Sequence, residues 1–568
     1  MNLSTFLDHW AIVENPFRGE EARHDPVFLR LGAADGAAAD GRSAGGPAVG
    51  LAGHAGAAAG IADGRASVAE PRATTHADFE KIAGDFDRPS TSIVFGEKGS
   101  GKTAIRLQLA ERIAAHNLAH PDRRCLLVAY DDLNPILDRF HARFADDRRR
   151  GSTTDVFKRF RLVDHMDAII GLVVQRLVNA LLDEPGSGHA PGRAVAAAPA
   201  DAGGERLSLG AEPRKTARRM DPALRRDLLL LQAVYDRAAG GGVRSPEERT
   251  ARLRRLLRLP LPSSYRLWTA LAYAGWLLPV AAAVTIYRQK GLDWSLTERI
   301  VVGAAIVAWL LVLFKRSVVD RLAWLRLAHR VRRQVRVSAR SDRSYGRSLR
   351  MLDDASADSS VLPTTDSDEQ RYAMLDRLRR VLAAFGYATM IIVIDRIDEP
   401  TLISGDPERM QAIIWPLLNN KFLTQPGIGV KMLLPMELRH SLFRESAAFF
   451  QEARLDKQNL IERLNWSGAM LYDLCSARLA ACRRPGAEPI ALIDLFAEDV
   501  TRQDLVDALD QMHQPRDAFK MLYQCLTEHC SLVTEDNPQW KIPRLVLQSV
   551  LKEQAERVRQ LYRGVRPA

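Results

Sequence analysis

Apolar and polar positions alternate in two different rhythms along this 568-residue chain. Short apolar runs at Ser92–Phe95, Cys125–Tyr130, Met390–Ile394 and Val430–Leu434 are too short for helices, and each ends at a glycine, an aspartate or a proline; they predict buried strands. Between them the apolar residues recur at helical spacing. Lys102–His116, one or two helices over Asp155–Leu182, Gln370–Tyr387 and Met410–Leu423 are the expected helices, and from Asn459 onward the pattern is helical almost to the end. Strands alternating with helices predict an α/β fold with a mostly parallel sheet covered on both faces, followed by a C-terminal helical subdomain.

Two stretches break this rhythm. Leu267–Tyr287 has 21 residues without a charge and Ile300–Phe314 has 15. A bilayer core needs about 20 helical residues, so the first is long enough to span, and the second becomes so by recruiting Trp294–Thr297. The reading is an inserted transmembrane hairpin over 267–287 and 300–314. The alternative is a buried helical hairpin in a soluble domain.

Charge sharpens this picture. The chain carries a net +11, but Arg244–Arg350 holds 22 Lys+Arg against 6 Asp+Glu, a net +16, which leaves the remainder at −5. The basic excess flanks the apolar stretches on both sides, while the connecting Arg288–Arg299 has three bases and two acids. The positive-inside rule then keeps both ends in the cytoplasm, giving a two-pass protein of a bacterial-type cytoplasmic (inner) membrane. Anionic membrane lipids are the expected partners of the arginines. A nucleic-acid partner is disfavoured, because the block is poor in interleaved aromatics. Five cysteines without C-x-x-C spacing indicate neither a zinc ribbon nor a disulfide framework.

Composition also divides the chain. Between Leu31 and Glu70, 25 of 40 residues are Ala or Gly, which predicts a flexible insertion over 31–75. A second such segment covers 184–215. Ahead of the first, residues 1–30 include Trp10–Phe17, a short element with apolar residues suited to docking on the following domain. The remaining units are 76–183 and 351–458, the two parts of the α/β domain, 216–350, the basic region with the hairpin, and 459–568, the lid.

The chemistry is concentrated where strands end. Gly96-Glu97-Lys98-Gly99-Ser100-Gly101-Lys102-Thr103 matches G-x-x-x-x-G-K-[ST] completely, after a strand and opening a helix. Glycines let successive backbone N–H groups and the helix N-terminus face the phosphates of a nucleotide. Lys102 is expected to reach the β- and γ-phosphates and Thr103 to hold Mg²⁺. The strand Met390–Ile394 delivers Asp395, the expected second magnesium ligand. Glu399 is the favoured water-orienting residue and Asp398 the alternative, with a helix N-cap or first-turn charge as the plain structural role of either. Glu437, after the next strand, is a further carboxylate candidate.

The glycine loop and the Asp395 strand resemble the Walker A and Walker B elements of the additional-strand class of P-loop NTPases. Gln514-Pro515-Arg516-Asp517 resembles the Pro-Arg helix start in the lid of AAA-type and signal-transduction ATPases, and by that resemblance Arg516 contacts the γ-phosphate. A transmembrane hairpin inserted between the two motifs is similar to the organisation of the KAP family. What the resemblance implies is a membrane-anchored cytoplasmic P-loop ATPase with ATP and Mg²⁺ as cofactors. It also implies a protein partner or homo-oligomer, and a role in switching or remodelling a membrane complex, including stress or phage-defence signalling. KAP members usually carry Asp-Asp-x-Asp-Arg at the second motif, whereas this chain has Asp395-Arg396-Ile397-Asp398-Glu399. Arg396 at the usual glutamate place keeps a non-hydrolysing, nucleotide-gated scaffold as the second reading, beside a nucleic-acid-binding regulatory ATPase.

Overall fold

The computed structural model describes residues 1–18, 22, 25–28, 30–31, 75–145, 152–182, 207–236, 244–260, 263–291, 295–353, 355–358 and 360–562. Residues 32–74 of the expected Ala/Gly-rich insertion and 184–206 of the second flexible segment lie outside them. The end of that second segment is not free: Leu207 and Leu209 are buried, and the Ser208 carbonyl accepts from Tyr387 Oη at 3.0 Å and Arg124 Nη1 at 2.7 Å.

Among the described residues five strands form one parallel sheet: β1 (Ser92–Gly96), β2 (Arg124–Tyr130), β3 (Tyr387–Ile394), β4 (Ile428–Pro435) and β5 (Asn459–Ile461). Their order is β2-β3-β4-β1-β5. The register pairs Tyr130 with Ile394, Ile394 with Met432, and Gly96 with Pro435. All the carboxyl ends therefore open on one edge, where Glu97, Asp131, Asp395 and Glu437 follow their strands.

Successive strand residues point to opposite faces, and both faces are covered. Ile93, Phe95, Val128, Ile392, Ile394 and Met432 join a large core with the helices Leu162–Leu182, Pro222–Tyr235 and Asp368–Ala383. Val94, Cys125, Ile391, Val393 and Leu433 face the other way, onto Ile105, Leu109 and Ile113 of the helix Lys102–Ala119.

A separate core holds the C-terminal helices, among them Gly468–Ala481, Arg502–Asp510 and Pro515–Leu532. The N-terminal segment packs here: Phe6, Ile12, Phe17 and Val27 are buried in this core. Arg478 donates to the Pro16 carbonyl at 2.8 Å and pairs with Asp25 at 2.6 Å. The segment thus docks on the C-terminal helices, and not on the part of the chain that follows it.

Among the described residues three helices are long and apolar enough to cross a membrane: Leu162–Leu182, Leu267–Gln289 and Leu296–Gln334. Their surroundings separate them. The first is 72% buried in the α/β core, whereas the second is 11% buried and the third turns its apolar stretch outward, with Val302 its one buried described residue there. The hairpin helices leave Tyr273, Leu278 and Leu311 exposed at 79%, 69% and 63%. Gly275 separates Ser263–Ala274 from Leu277–Lys290, and Ser295 caps the second helix through a reciprocal bond with Glu298, so that it starts at Leu296. From there the helix runs on through a π turn at Lys315–Val319 into Asp320–Gln334, where Leu327, Ala328 and Val331 enter the large core. The apolar segment and the α/β domain are thus joined by continuous helix.

Candidate phosphate-binding site

The Gly96–Thr103 loop leaves the carboxyl end of β1, which lies between β4 and β5, and Gly101 caps the helix Lys102–Ala119. Gly99 and Gly101 have φ of +102° and +94°, a region that costs side-chain-bearing residues energy and glycine very little. These two positions turn the chain so that the helix begins directly at Lys102, and its first-turn N–H groups have no partners within the helix. Such an N-terminus favours an anion.

Lys102 folds back over the loop, donating from Nζ to the carbonyls of Gly96 at 2.5 Å and Glu97 at 2.9 Å. Burial lowers its pKa, opposed by the negative charges of Asp395, Asp398, Glu437 and Glu97. The lysine and these four carboxylates therefore share one electrostatic site. Asp395 is buried. Its carboxyl is pushed up to about 6 by desolvation, against the pull of Arg106 and Lys102. Oδ1 accepts from the Arg396 backbone N–H at 2.9 Å, and Oδ2 is buried without a hydrogen-bond partner.

The remaining expected residues divide. Asp398 is partly buried and within electrostatic reach of Lys102. Glu399 is 54% exposed and pairs with Arg396 at 3.2 Å. Arg396 reaches it from a left-handed conformation, φ +59°. Thr103 is partly buried in the first turn of the helix, and Lys98 is exposed. Arg516 sits over the loop: a Cβ placed on Gly99 would meet Arg516 Cβ at 3.0 Å and Gln514 Oε1 at 3.0 Å.

Four residues at the site were not assigned roles from the sequence. Gln514 Nε2 donates to Glu97 Oε2 at 2.6 Å, and Arg463 Nη2 to Glu97 Oε1 at 2.9 Å. Trp466 Nε1 donates to the Ser100 carbonyl at 2.8 Å. Arg106, one turn beyond Thr103, is 2% exposed and forms a salt bridge with Asp131 at the end of β2. An arginine within an amphipathic helix carries no sequence signal that separates it from a solvated one.

The donor set fits a magnesium nucleotide. Among the described residues no cluster of three or more His, Cys, Asp or Glu side chains is arranged to hold a metal. Mg²⁺ in phosphate sites is bound through one or two protein oxygens plus substrate phosphates, and Asp395 Oδ2, which accepts no hydrogen bond and lies 3.8 Å from Arg106 Nε, is suited to that use. The chain matches no family model, no curated protein and no solved structure.

Proposed function

We propose that this chain is a membrane-anchored P-loop ATPase that binds and hydrolyses Mg²⁺-ATP to switch or remodel a membrane-associated complex. The observation that carries the reading is the position of the Gly96–Thr103 loop. It leaves β1 at the same sheet edge where β3 delivers Asp395, with β4 between them and Lys102 half-buried in the field of four carboxylates. Ligands of open α/β sheets bind at the carboxyl ends of the strands. The strand inserted between β1 and β3 also agrees with the additional-strand resemblance.

In this reading the first-turn N–H groups and Lys102 hold the phosphates, Thr103 and Asp395 hold Mg²⁺, and Arg516 approaches from the lid. The bound metal neutralises the charge that develops on phosphoryl transfer. Asp398 is better placed than Glu399 to orient water, since it shares the field of Lys102 while Glu399 is paired with Arg396. The apolar, outward-facing hairpin supports anchoring, with the arginines at its base toward anionic headgroups.

The test is phosphate release by the detergent-purified full-length chain, with Lys102→Ala, Asp398→Asn and Glu399→Gln compared. Turnover lost in Lys102→Ala and Asp398→Asn but retained in Glu399→Gln is expected. Wild-type turnover that survives in Lys102→Ala would refute the site. Tight ATP binding without turnover would favour the nucleotide-gated scaffold, the reading that the Arg396–Glu399 pair supports.

A further inference from the structure

We infer that Asp131 is a positioning residue for the magnesium site, acting by holding the Arg106 guanidinium back from Asp395. The inference rests on the nucleotide reading above. Arg106 is among the most deeply buried large side chains of the protein, and a buried guanidinium persists only when paired. Two carboxylates flank it. Nη1 is in direct contact with Asp131 Oδ2, whereas Nε stands 3.8 Å from Asp395 Oδ2, beyond hydrogen-bonding distance. Arg106 Nε and Asp395 Oδ2 are both buried without a hydrogen-bond partner. Two complementary groups thus face each other across a gap that a small guanidinium movement would close.

The gap matters because the same Asp395 oxygen suits the metal. An arginine seated on a carboxylate in the usual two-bond fashion occupies the lone pairs that a hard cation needs. Asp131 draws the guanidinium to the end of β2 and leaves Asp395 only partly neutralised, which permits a buried carboxylate without closing it to the ion. Asp131 touches neither nucleotide nor metal in this scheme. Its effect passes through Arg106.

The prediction separates this role from plain scaffolding. Asp131→Asn keeps the shape and removes the charge, so Arg106 moves onto Asp395 and competes with Mg²⁺. Removing the competitor as well, in Asp131→Asn/Arg106→Met, restores access. The measurement is binding of a fluorescent ATP analogue to the full-length chain in detergent, titrated with Mg²⁺, with Mn²⁺ occupancy read by electron paramagnetic resonance. Asp131→Asn is expected to raise the Mg²⁺ midpoint about tenfold, as losses behind a metal ligand typically do, with nucleotide affinity in EDTA unchanged. The double variant is expected to recover most of the loss. An unchanged midpoint in Asp131→Asn, or a double variant no better than the single one, overturns the inference while leaving the nucleotide site standing. A wild-type chain that takes up no magnesium nucleotide overturns both.

Discussion

Gln514 donates its amide to the Glu97 carboxylate at 2.6 Å, a bond between residues 417 positions apart. One belongs to the C-terminal helical subdomain and the other is the second residue of the Gly96–Thr103 loop. Arg463, just beyond β5, takes the other Glu97 oxygen. The loop is therefore clasped from two sides, and its one carboxylate is turned onto partners.

Loss of that clasp should be felt at the γ-phosphate. Gln514→Ala frees the start of the helix that carries Arg516, and a hydrogen bond to a charged group contributes about 1.5–3 kcal/mol. Affinity for a fluorescent ATP analogue is expected to fall roughly tenfold, with a smaller loss for the ADP analogue. Equal losses for the two nucleotides, measured by anisotropy, would separate Arg516 from γ-phosphate contact.

Gly99→Ala tests the same contact from the loop side. The new methyl would stand 3.0 Å from Arg516 Cβ at a φ of +102°, combining steric pressure with backbone strain of about 1–3 kcal/mol. A lowered melting temperature together with weaker ATP binding is expected. Ordinary values of both would show that the loop is not held against the lid in solution.

For the hairpin the expectation is physical partition. Of the described side chains within 267–314, only Ala272, Pro279 and Val302 are buried, so a chain lacking residues 267–314 forfeits little packing. The full-length chain should remain with membranes after carbonate washing and the shortened one should not. A full-length chain found in the soluble fraction would count against insertion.

Acid sensitivity is expected from His165. Its ring is wholly buried, donating from Nε2 to the Ile413 carbonyl at 2.7 Å and accepting at Nδ1 from Tyr130 Oη at 3.0 Å. Burial lowers its pKa to about 4. Because the folded value lies below the unfolded one, the unfolded chain binds the extra proton. Stability is then complete above about pH 6.5 and falls as the pH drops toward 4, by about 1.4 kcal/mol per unit at most. His76 and His529 shift in the same direction, so His165→Gln should flatten the acid limb of the melting curve without abolishing it. An acid limb of unaltered slope would contradict the assignment.

How much of this was legible beforehand depended on length and on punctuation. The strands of β1 to β4 are apolar runs with clear stops, and their positions agree with the expectation to within three residues. β5 was read as helix because three residues, Asn459–Ile461, are too few to show a period. The helix expected over Gln370–Tyr387 ends at Ala383, because Gly386 at φ +86° turns the chain and Tyr387 already belongs to β3. Met410–Leu423 is broken after Ile414, where Pro416 follows. At the site, glycines and strand-end carboxylates advertise themselves in sequence. Arg106, Arg463 and Gln514 owe their roles to partners far along the chain, and one-dimensional spacing holds no record of those.

The strand order also dictates a timetable for synthesis. Among the described residues β1 pairs only with β4 and β5, and β2 only with β3. Both early strands leave the ribosome with no neighbour to bond, and the apolar hairpin emerges before any partner does. At about 5–20 residues per second, β1 waits on the order of tens of seconds for β4. On the proposed membrane reading, arrival at the bilayer precedes completion of the sheet, and the Gly96–Thr103 loop gains its rigid support last. Nascent chains halted before Ile428 should accordingly be cut readily by protease around β1, and those released after Ile461 should resist.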